Sequence, residues 1–493
     1  MGIDVCLVSP PKRAYNHHRP PLALMLLASV LEKNGIRTGI IDPKSEKDIV
    51  DRQHDIIMEY ILEQIGKLNP GIVGITCYTP EFNDVILLSN KIKELHPHIK
   101  IIVGGVHPTL RQREFFFEGS PVDFVVIGEG EITLYELAHA LLTDENHNDI
   151  PGIGYYDKTK KEYVQTKARP LIDDLDAMPF PAYDKVDMKY YTLPNPYSVR
   201  GLFLSSFYIL VGRGCPSQCT FCVSAEMRKI LAPGKSLRCR SAKNVVDEIE
   251  LLKKTYGIDS FYFIDDNFTI QKDLVSNICD ELIKRKLNLI WACSARINTV
   301  SEELLQKMKK SGCIQVDFGV ESGSPEVLKR LKKGIKVDQV KNIFEICHRT
   351  GMRTFANILI NTPEETEEDL NLTLDLLDTI HPTVTSFNIF IPYIGTEIYE
   401  KQNVNLDPDE YHLLSEPPRD LVLDPRFRFA KHNLDFNEFY KNNHKKYNSL
   451  FAFLPDYFSI TYAKQIFRSR RKAEYFFQTG ALFKEFIKQI WQT

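Results

Sequence analysis

Strand and helix patterns alternate along this chain in two blocks, and that alternation restricts the fold more than any single residue does. In the first block, residues 1 to about 145, short β-branched runs at 5–8, 38–41, 72–75, 99–103 and 124–127 are separated by helical patterns such as 21–33, 51–68, 81–95 and 132–142. A helix between two strands brings them back side by side and parallel, because a parallel pair needs a long crossover. Five such units predict an α/β, doubly wound, Rossmann-like parallel sheet, which binds ligands beyond the carboxyl ends of its strands. The second block repeats the alternation six times, with strands expected at 207–211, 260–264, 289–293, 314–319, 354–360 and 384–391. Six units fall short of a closed eight-fold barrel. A partial (six-unit) βα barrel is expected, with its reactive groups again at the strand C-termini.

The patterns divide the chain into a first domain at 1–150, a linker at 151–200, the partial barrel at 201–400 and a helical, aromatic-rich C-terminal extension at 401–493. The linker carries a hairpin pattern over 155–163 and an acidic, Pro-rich run at 173–181. A formal net charge of −3 gives no global field to attract nucleic acid, so no nucleic-acid partner is expected. Of ten cysteines only three cluster, which suits buried thiols in a reducing compartment better than a disulfide framework. The chain opens on a strand pattern without a signal-peptide signature, and its longest apolar stretch, 22–31, is interrupted by Ser29 and too short to span a bilayer. A cytoplasmic protein is expected.

Residues 457–493 hold seven Lys/Arg against two Glu, with Phe467, Phe476, Phe477, Phe483, Phe486 and Trp491 among them. An amphipathic helix packed on the barrel fits this composition. So do a helix in peripheral contact with a membrane surface and a wall over an apolar pocket.

The chemistry concentrates in Cys215-Pro-Ser-Gln-Cys219-Thr-Phe-Cys222, directly after the first barrel strand. Thiolates are the usual ligands of iron–sulfur clusters. A cubane cluster has four irons, and three cysteines hold three of them, leaving one iron open for another ligand. A structural zinc site is the alternative. Such sites generally need four protein ligands, most often as two separated pairs, and here no second C-x-x-C exists and Cys239 stands alone.

The C-x-x-x-C-x-aromatic-C motif after a first barrel strand resembles that of the radical S-adenosylmethionine (SAM) superfamily. The resemblance covers about 207–400. It implies a 4Fe-4S cluster on Cys215, Cys219 and Cys222 whose open iron is chelated by SAM, with Phe221 beside the adenine. One electron from the cluster then cleaves SAM and releases a 5′-deoxyadenosyl radical, the cofactor carrying the difficult chemistry. Later strand ends match the family in order. Phe263-Ile-Asp265-Asp266-Asn267-Phe268 stands where an acidic turn meets the SAM amino group, and Ser294-Ala-Arg296 where a cation pairs with its carboxylate. Gly319-Val-Glu321-Ser322 stands where an acid and a hydroxyl bind the ribose and amino end. The stretch Asn357 to Thr366 departs from the family, with Asn361 in place of a usual Gly, and Ile391-Pro-Tyr-Ile-Gly395-Thr396 resembles the segment after the sixth strand. Taken singly, each acidic or hydroxyl pair at a strand end is a common helix cap.

The first block resembles the cobalamin-binding-type domain that precedes many radical SAM barrels. The residues that carry this are Ser9-Pro-Pro11, Arg19-Pro-Pro-Leu22, Gly104-Gly105-Val-His107-Pro108 and Gly128-Glu129-Gly130-Glu131. The resemblance implies that loops carrying Thr76, Gly104, Gly105, Gly128 and Glu129 surround the nucleotide tail of cobalamin, since glycine lets backbone approach a bulky ligand. The cobalt-ligating D-x-H-x-x-G frame is absent, and His17 and His18 lie in the loop after strand one. Gly128-x-Gly130-x-x-Thr133 is a dinucleotide fingerprint without its third glycine and on the last strand, so NAD is not expected.

Together these resemblances imply a cobalamin-dependent radical SAM enzyme, from the branch with the anaerobic magnesium-protoporphyrin ester cyclase and the hopanoid-modifying proteins. It would activate an unactivated C–H of a large, apolar small molecule, for methylation through methylcobalamin or for oxidative cyclisation or rearrangement, drawing electrons from a flavodoxin or ferredoxin. A non-enzymatic iron–sulfur or zinc protein and a radical SAM enzyme that has lost cobalamin are the alternatives.

Overall fold

The computed structural model describes residues 2–11, 19–46, 54–231, 237–415, 423–448 and 454–475, with 477 and 480. His17, His18, Phe476, Phe483, Phe486 and Trp491 lie outside the described residues. The chain divides into two compact units. The first comprises Met1–Met188, Phe221–Ser236 and Ile391–Pro417, and the second Lys189–Thr220, Leu237–Phe390 and Pro418–Thr493.

The first unit is built on a seven-stranded sheet of β1 (Val5–Val8), β2 (Thr38–Ile41), β3 (Ile72–Thr76), β4 (Lys100–Gly104), β5 (Phe124–Val126), β6 (Ile153–Asp157) and β7 (Glu162–Gln165), in the order β2-β1-β3-β4-β5-β6-β7. The first five pair in parallel and the last two antiparallel. Val5, Leu7, Ile72, Ile102 and Phe124 pack with Leu24, Ala28 and Leu31 of helix Leu22–Lys33 and Leu134, Leu137 and Ala138 of helix Gly130–Thr143. The alternate positions Cys6, Val8, Val73 and Val103 are buried as well. A strand buried on both faces reads as a continuous apolar run, which is why these strands were visible in the sequence. Each such side chain contributes roughly 1.5–3 kcal/mol when fully buried. The hairpin expected in the linker is present, and it extends the sheet from β5.

The second unit carries a seven-stranded sheet in the order β16-β15-β14-β13-β12-β9-β8. Its strands are β8 (Pro194–Asn195), β9 (Leu204–Ile209), β12 (Ser260–Phe263), β13 (Ile290–Ala295), β14 (Cys313–Glu321), β15 (Arg353–Ile360) and β16 (Val384–Ile389). Between β9 and β12 a two-residue ribbon forms from β10 (Gly212–Arg213) and β11 (Arg238–Cys239). The six strands from β9 onward are parallel, with β8 an antiparallel edge. This is the expected partial barrel. Its helices Ala242–Tyr256, Glu302–Lys310 and Glu367–Ile380 begin at Ser241, Ser301 and Thr366, whose hydroxyls accept from the third residue on. That satisfies one otherwise unpaired donor in each first turn.

The two faces of this sheet differ. Phe261, Phe263, Trp291, Val316 and Phe318 face the helices, as the Phe318–Phe344 ring contact at 5.5 Å illustrates. Successive strand residues point to opposite faces, so the register places Tyr208, Tyr262, Gln315, Asp317, Arg353, Asn357, Ser386 and Asn388 together on the inner face. Their bonds confirm this. Tyr262 donates to Asp317 at 3.0 Å, Gln315 donates to Asp317 at 2.6 Å, and Arg353 donates to Gln315 at 3.0 Å. The lumen of the partial barrel is polar.

The described part of the C-terminal extension packs at the amino ends of the first barrel strands. Tyr457 donates to Gly201 O at 2.7 Å and Tyr462 to Phe203 O at 3.1 Å. Gln465, Ser469 and Tyr475 all bond to Asp259, just before β12. Strand C-termini carry the reactive groups of such barrels, so these residues floor the opposite end. Phe458, Ile460, Phe467 and Phe477 are exposed. Among the described residues no helix is long and apolar enough to cross a membrane.

Candidate active site

The three-cysteine loop leaves the carboxyl end of β9. Cys215 and Cys219 are buried, and Cys222 is half-buried at the start of helix Val223–Leu231, an element the sequence reading did not anticipate. Among the described residues no three His, Cys, Asp or Glu side chains converge on a single-ion position. A cubane cluster asks for no such convergence, because each thiolate takes a separate iron. Three thiols in one loop fit a three-thiolate cluster. Cys239 lies across the ribbon from Gly212. Burial, aided by the Asp265 charge, pushes its thiol up to about 11, which favours the protonated form over a ligand thiolate. Burial likewise pushes Cys6, Cys279 and Cys347 up to about 12.

The strand-end residues singled out from the sequence gather at the carboxyl edge, and most are bonded to the protein itself. Asp265 is buried after β12 and accepts from the amides of Val211 at 3.2 Å and of Gly212. Asp266 beside it is exposed, and Phe268 of the same turn stacks on Phe263 at 4.1 Å, inside the core. Arg296, after β13, donates to Cys219 Sγ at 3.2 Å and to Lys333 O. Glu321, at the end of β14, is held at φ 65° and pairs with Lys333 at 2.6 Å, both nearly inaccessible. Ser322 bonds Thr373 at 3.0 Å and accepts from Ser324 N at 3.1 Å. Phe221 is half-buried.

Asn361 explains its departure from the family pattern. It adopts φ 68°, the left-handed region that asparagine tolerates better than most residues. Its side chain donates to Phe390 O at 3.1 Å and Phe427 O at 2.7 Å, and accepts from Phe429 N at 3.1 Å. The amide thus fastens the 427–430 segment to the end of β15, which a glycine could not do. Nearby, burial pushes Glu365 up to about 7 although Thr362 N donates to it.

In the first unit the loops after β3, β4 and β5 meet at the carboxyl edge. Gly105 sits at φ 113°, and a Cβ there would come within 3.0 Å of Cys77 O and 3.2 Å of Thr76 Oγ1. Only glycine fits. Thr109, not identified from the sequence, ties two of the loops together: its hydroxyl donates to Gly105 O at 2.8 Å and accepts from Gly128 N at 3.0 Å. Gly128, at φ 85°, faces Leu231, which a Cβ would approach to 3.0 Å. Glu129 accepts from Ile172 N at 2.8 Å at the mouth of helix Gly130–Thr143. Gly104 O accepts from Cys77 N at 2.8 Å, which ties the loop after β3 to the end of β4. His107 is buried, 3.1 Å from Thr79 Oγ1 and 3.3 Å from Glu114.

The radical SAM superfamily model matches residues 209–377, and the B12 binding domain model matches residues 13–138. An uncharacterized methyltransferase of Pyrococcus horikoshii is 32% identical over 405 residues, spanning 81% of this chain and 83% of that protein. The anaerobic magnesium-protoporphyrin IX monomethyl ester cyclase of Rubrivivax gelatinosus is 28% identical over 78% of this chain and 66% of its own length. Among solved structures, the radical SAM methyltransferase TsrM of Kitasatospora setae, with tryptophan and a SAM analogue bound, superposes with a TM-score of 0.64 at 21% identity, covering 91% of this chain and 89% of that one.

Proposed function

The chain belongs to the radical SAM superfamily, and from that premise we propose that it is a cobalamin-dependent enzyme that methylates carbon in a small molecule. The observation that carries the reading is the three-thiol loop, with Cys215 and Cys219 buried, at the carboxyl end of a sheet with six parallel strands, in a chain whose residues 13–138 match the B12 binding domain. When bound, the cluster and SAM supply one-electron cleavage of a sulfonium C–S bond, and cobalamin supplies carriage of a methyl group.

The residues of the chain take supporting roles. Cys215, Cys219 and Cys222 hold the cluster as thiolates. Asp265 fixes the backbone three residues before Cys215. Exposed Asp266 offers a carboxylate for the SAM amino group, and half-buried Phe221 an aromatic face for its adenine. Glu321 and Ser322 shape the end of β14 from within. Thr76, Gly104, Gly105, Gly128 and Glu129 form the cobalamin rim in the 1–150 domain. The polar lumen, with Asn357, Ser386 and Asn388 half-buried, favours a substrate that presents hydrogen-bonding groups over a wholly apolar one. A low-potential flavodoxin or ferredoxin would deliver the electron, and the exposed Phe458, Ile460 and Phe467 beside Lys464 and Lys472 support peripheral membrane contact. Oxidative cyclisation is the second reading, favoured by the likeness to the ester cyclase.

Anaerobic purification, cluster reconstitution and incubation with SAM and a low-potential reductant test the reading. Brown protein that retains cobalamin and releases both 5′-deoxyadenosine and S-adenosylhomocysteine is the expected result. 5′-Deoxyadenosine alone would point to the oxidative route. Release of neither product from iron-loaded protein would sink the proposal.

A further inference from the structure

Arg296 does something the family resemblance does not assign to it. One terminal nitrogen donates to Cys219 Sγ at 3.2 Å and the other to the carbonyl of Lys333. Both arms of the guanidinium are therefore committed inside the protein. The backbone of Arg296 is fixed too, since its carbonyl accepts from Thr299 N at 3.0 Å and from Thr299 Oγ1 at 2.8 Å.

The acceptor carbonyl is equally fixed. Lys333 buries its ammonium against Glu321 at 2.6 Å, with both side chains under a tenth exposed. Two and three residues earlier, Leu331 O accepts from Thr220 N at 3.1 Å and Arg330 O from Thr220 Oγ1 at 3.3 Å. The segment 330–333 thus holds the residue next to Cys219 and the arginine that bonds to its sulfur. The N–H to sulfur contact is set by several bonds in the fold.

We infer that Arg296 sets the reduction potential of the cluster by donating a charged hydrogen bond to the Cys219 ligand sulfur. The inference rests on the cluster assignment. A thiolate that spends one lone pair on iron keeps others for an N–H donor. Reduction adds one negative charge to the cluster and its sulfurs. A permanently charged guanidinium in hydrogen-bond contact stabilises the reduced state more than the oxidised one. Hydrogen bonds to sulfur, net charge and exposure are the main protein levers on such potentials. Cys219 is only 6% exposed, so water screens the interaction little.

The test is a redox titration of the reconstituted cluster without SAM, followed by electron paramagnetic resonance, in wild type, Arg296→Lys and Arg296→Gln. Lysine keeps the charge without the fork, and glutamine keeps a neutral donor. The potential should fall in the order wild type, Lys, Gln. At a fixed poise the Gln variant should show about a tenfold lower ratio of reduced to oxidised cluster, about 59 mV for one electron, with iron content unchanged. Unchanged potentials with weakened SAM binding would overturn the inference and make Arg296 a partner of the SAM carboxylate. Loss of the cluster from both variants would also overturn it, leaving Arg296 a structural requirement. Failure of the wild type itself to take up iron and sulfide would instead fault the cluster assignment.

Discussion

Asp265 shows how far one side chain can stand from its expected role. The resemblance offers it to a cationic ligand, and the fold gives both its oxygens to the amides of Val211 and Gly212. Burial pushes its carboxyl from 3.8 up to about 7, against the pull of those amides. A carboxyl raised on folding binds its proton more tightly in the folded state, so its stabilisation is full below about pH 4 and is lost as pH rises through about 7. Asp265→Asn keeps an acceptor for the amides and removes that loss. Its thermal unfolding midpoint should therefore fall less than the wild type's between about pH 5 and 8. Parallel profiles would mean that the carboxyl is ionised throughout. The thiol spacing was legible because cluster chemistry depends on local sequence. Thr109, Lys333 and the bonds of Asn361 were not, because folding brings their partners to them: Gly128 is 19 residues from Thr109, Glu321 is 12 from Lys333 and Phe427 is 66 from Asn361.

Elements were legible where burial dictates an apolar run. The strands Val5–Val8 and Thr38–Ile41 have the limits that their apolar runs predict. The first barrel strand does not: it was expected at 207–211 and runs Leu204–Ile209. Two physical causes account for the shift. Ser205 and Ser206 look like loop residues, yet their hydroxyls are satisfied inside the sheet, by Thr192 O and Ser260. At the other end Asp265 draws Val211 out of the ladder. The C-terminal extension matters most at this scale. Tyr475 accepts from Ser205 N at 2.8 Å and donates to Asp259 at 3.0 Å. Tyr475→Phe strands a buried amide and takes one donor from a carboxylate, at a cost of about 1–3 kcal/mol. A lowered unfolding midpoint with unchanged iron and cobalamin content is expected. Loss of either cofactor would show that the floor of the barrel also governs its upper edge.

At the scale of the molecule, the alternation of strand and helix foretold two parallel sheets. It could not foretell that 391–417, read partly as barrel and partly as extension, joins the first unit. That membership depends on tertiary contacts such as Tyr411 to Glu114 at 3.0 Å and Leu110 beside Gly395. The loops after β3, β4 and β5 are tied to one another by Thr109, whose hydroxyl bonds Gly105 O and Gly128 N, and by the Cys77 N to Gly104 O bond. Replacing Cys215, Cys219 and Cys222 together by alanine should therefore abolish iron binding and the brown colour while cobalamin, followed by its visible spectrum, is retained. Iron that survives the triple replacement would refute the ligand assignment. Cobalamin lost along with iron would show that the two cofactors load as one.

The fastening of the cysteine loop, at Gly212 by Asp265 and at Thr220 by residues 330 and 331, has a consequence for how the protein ages. Many small metal sites fold only when the metal arrives. Here protein bonds fasten the loop at both ends. A loop so fastened should keep its place when oxygen destroys a cluster, so that repair becomes a matter of resupplying iron and sulfide, without refolding.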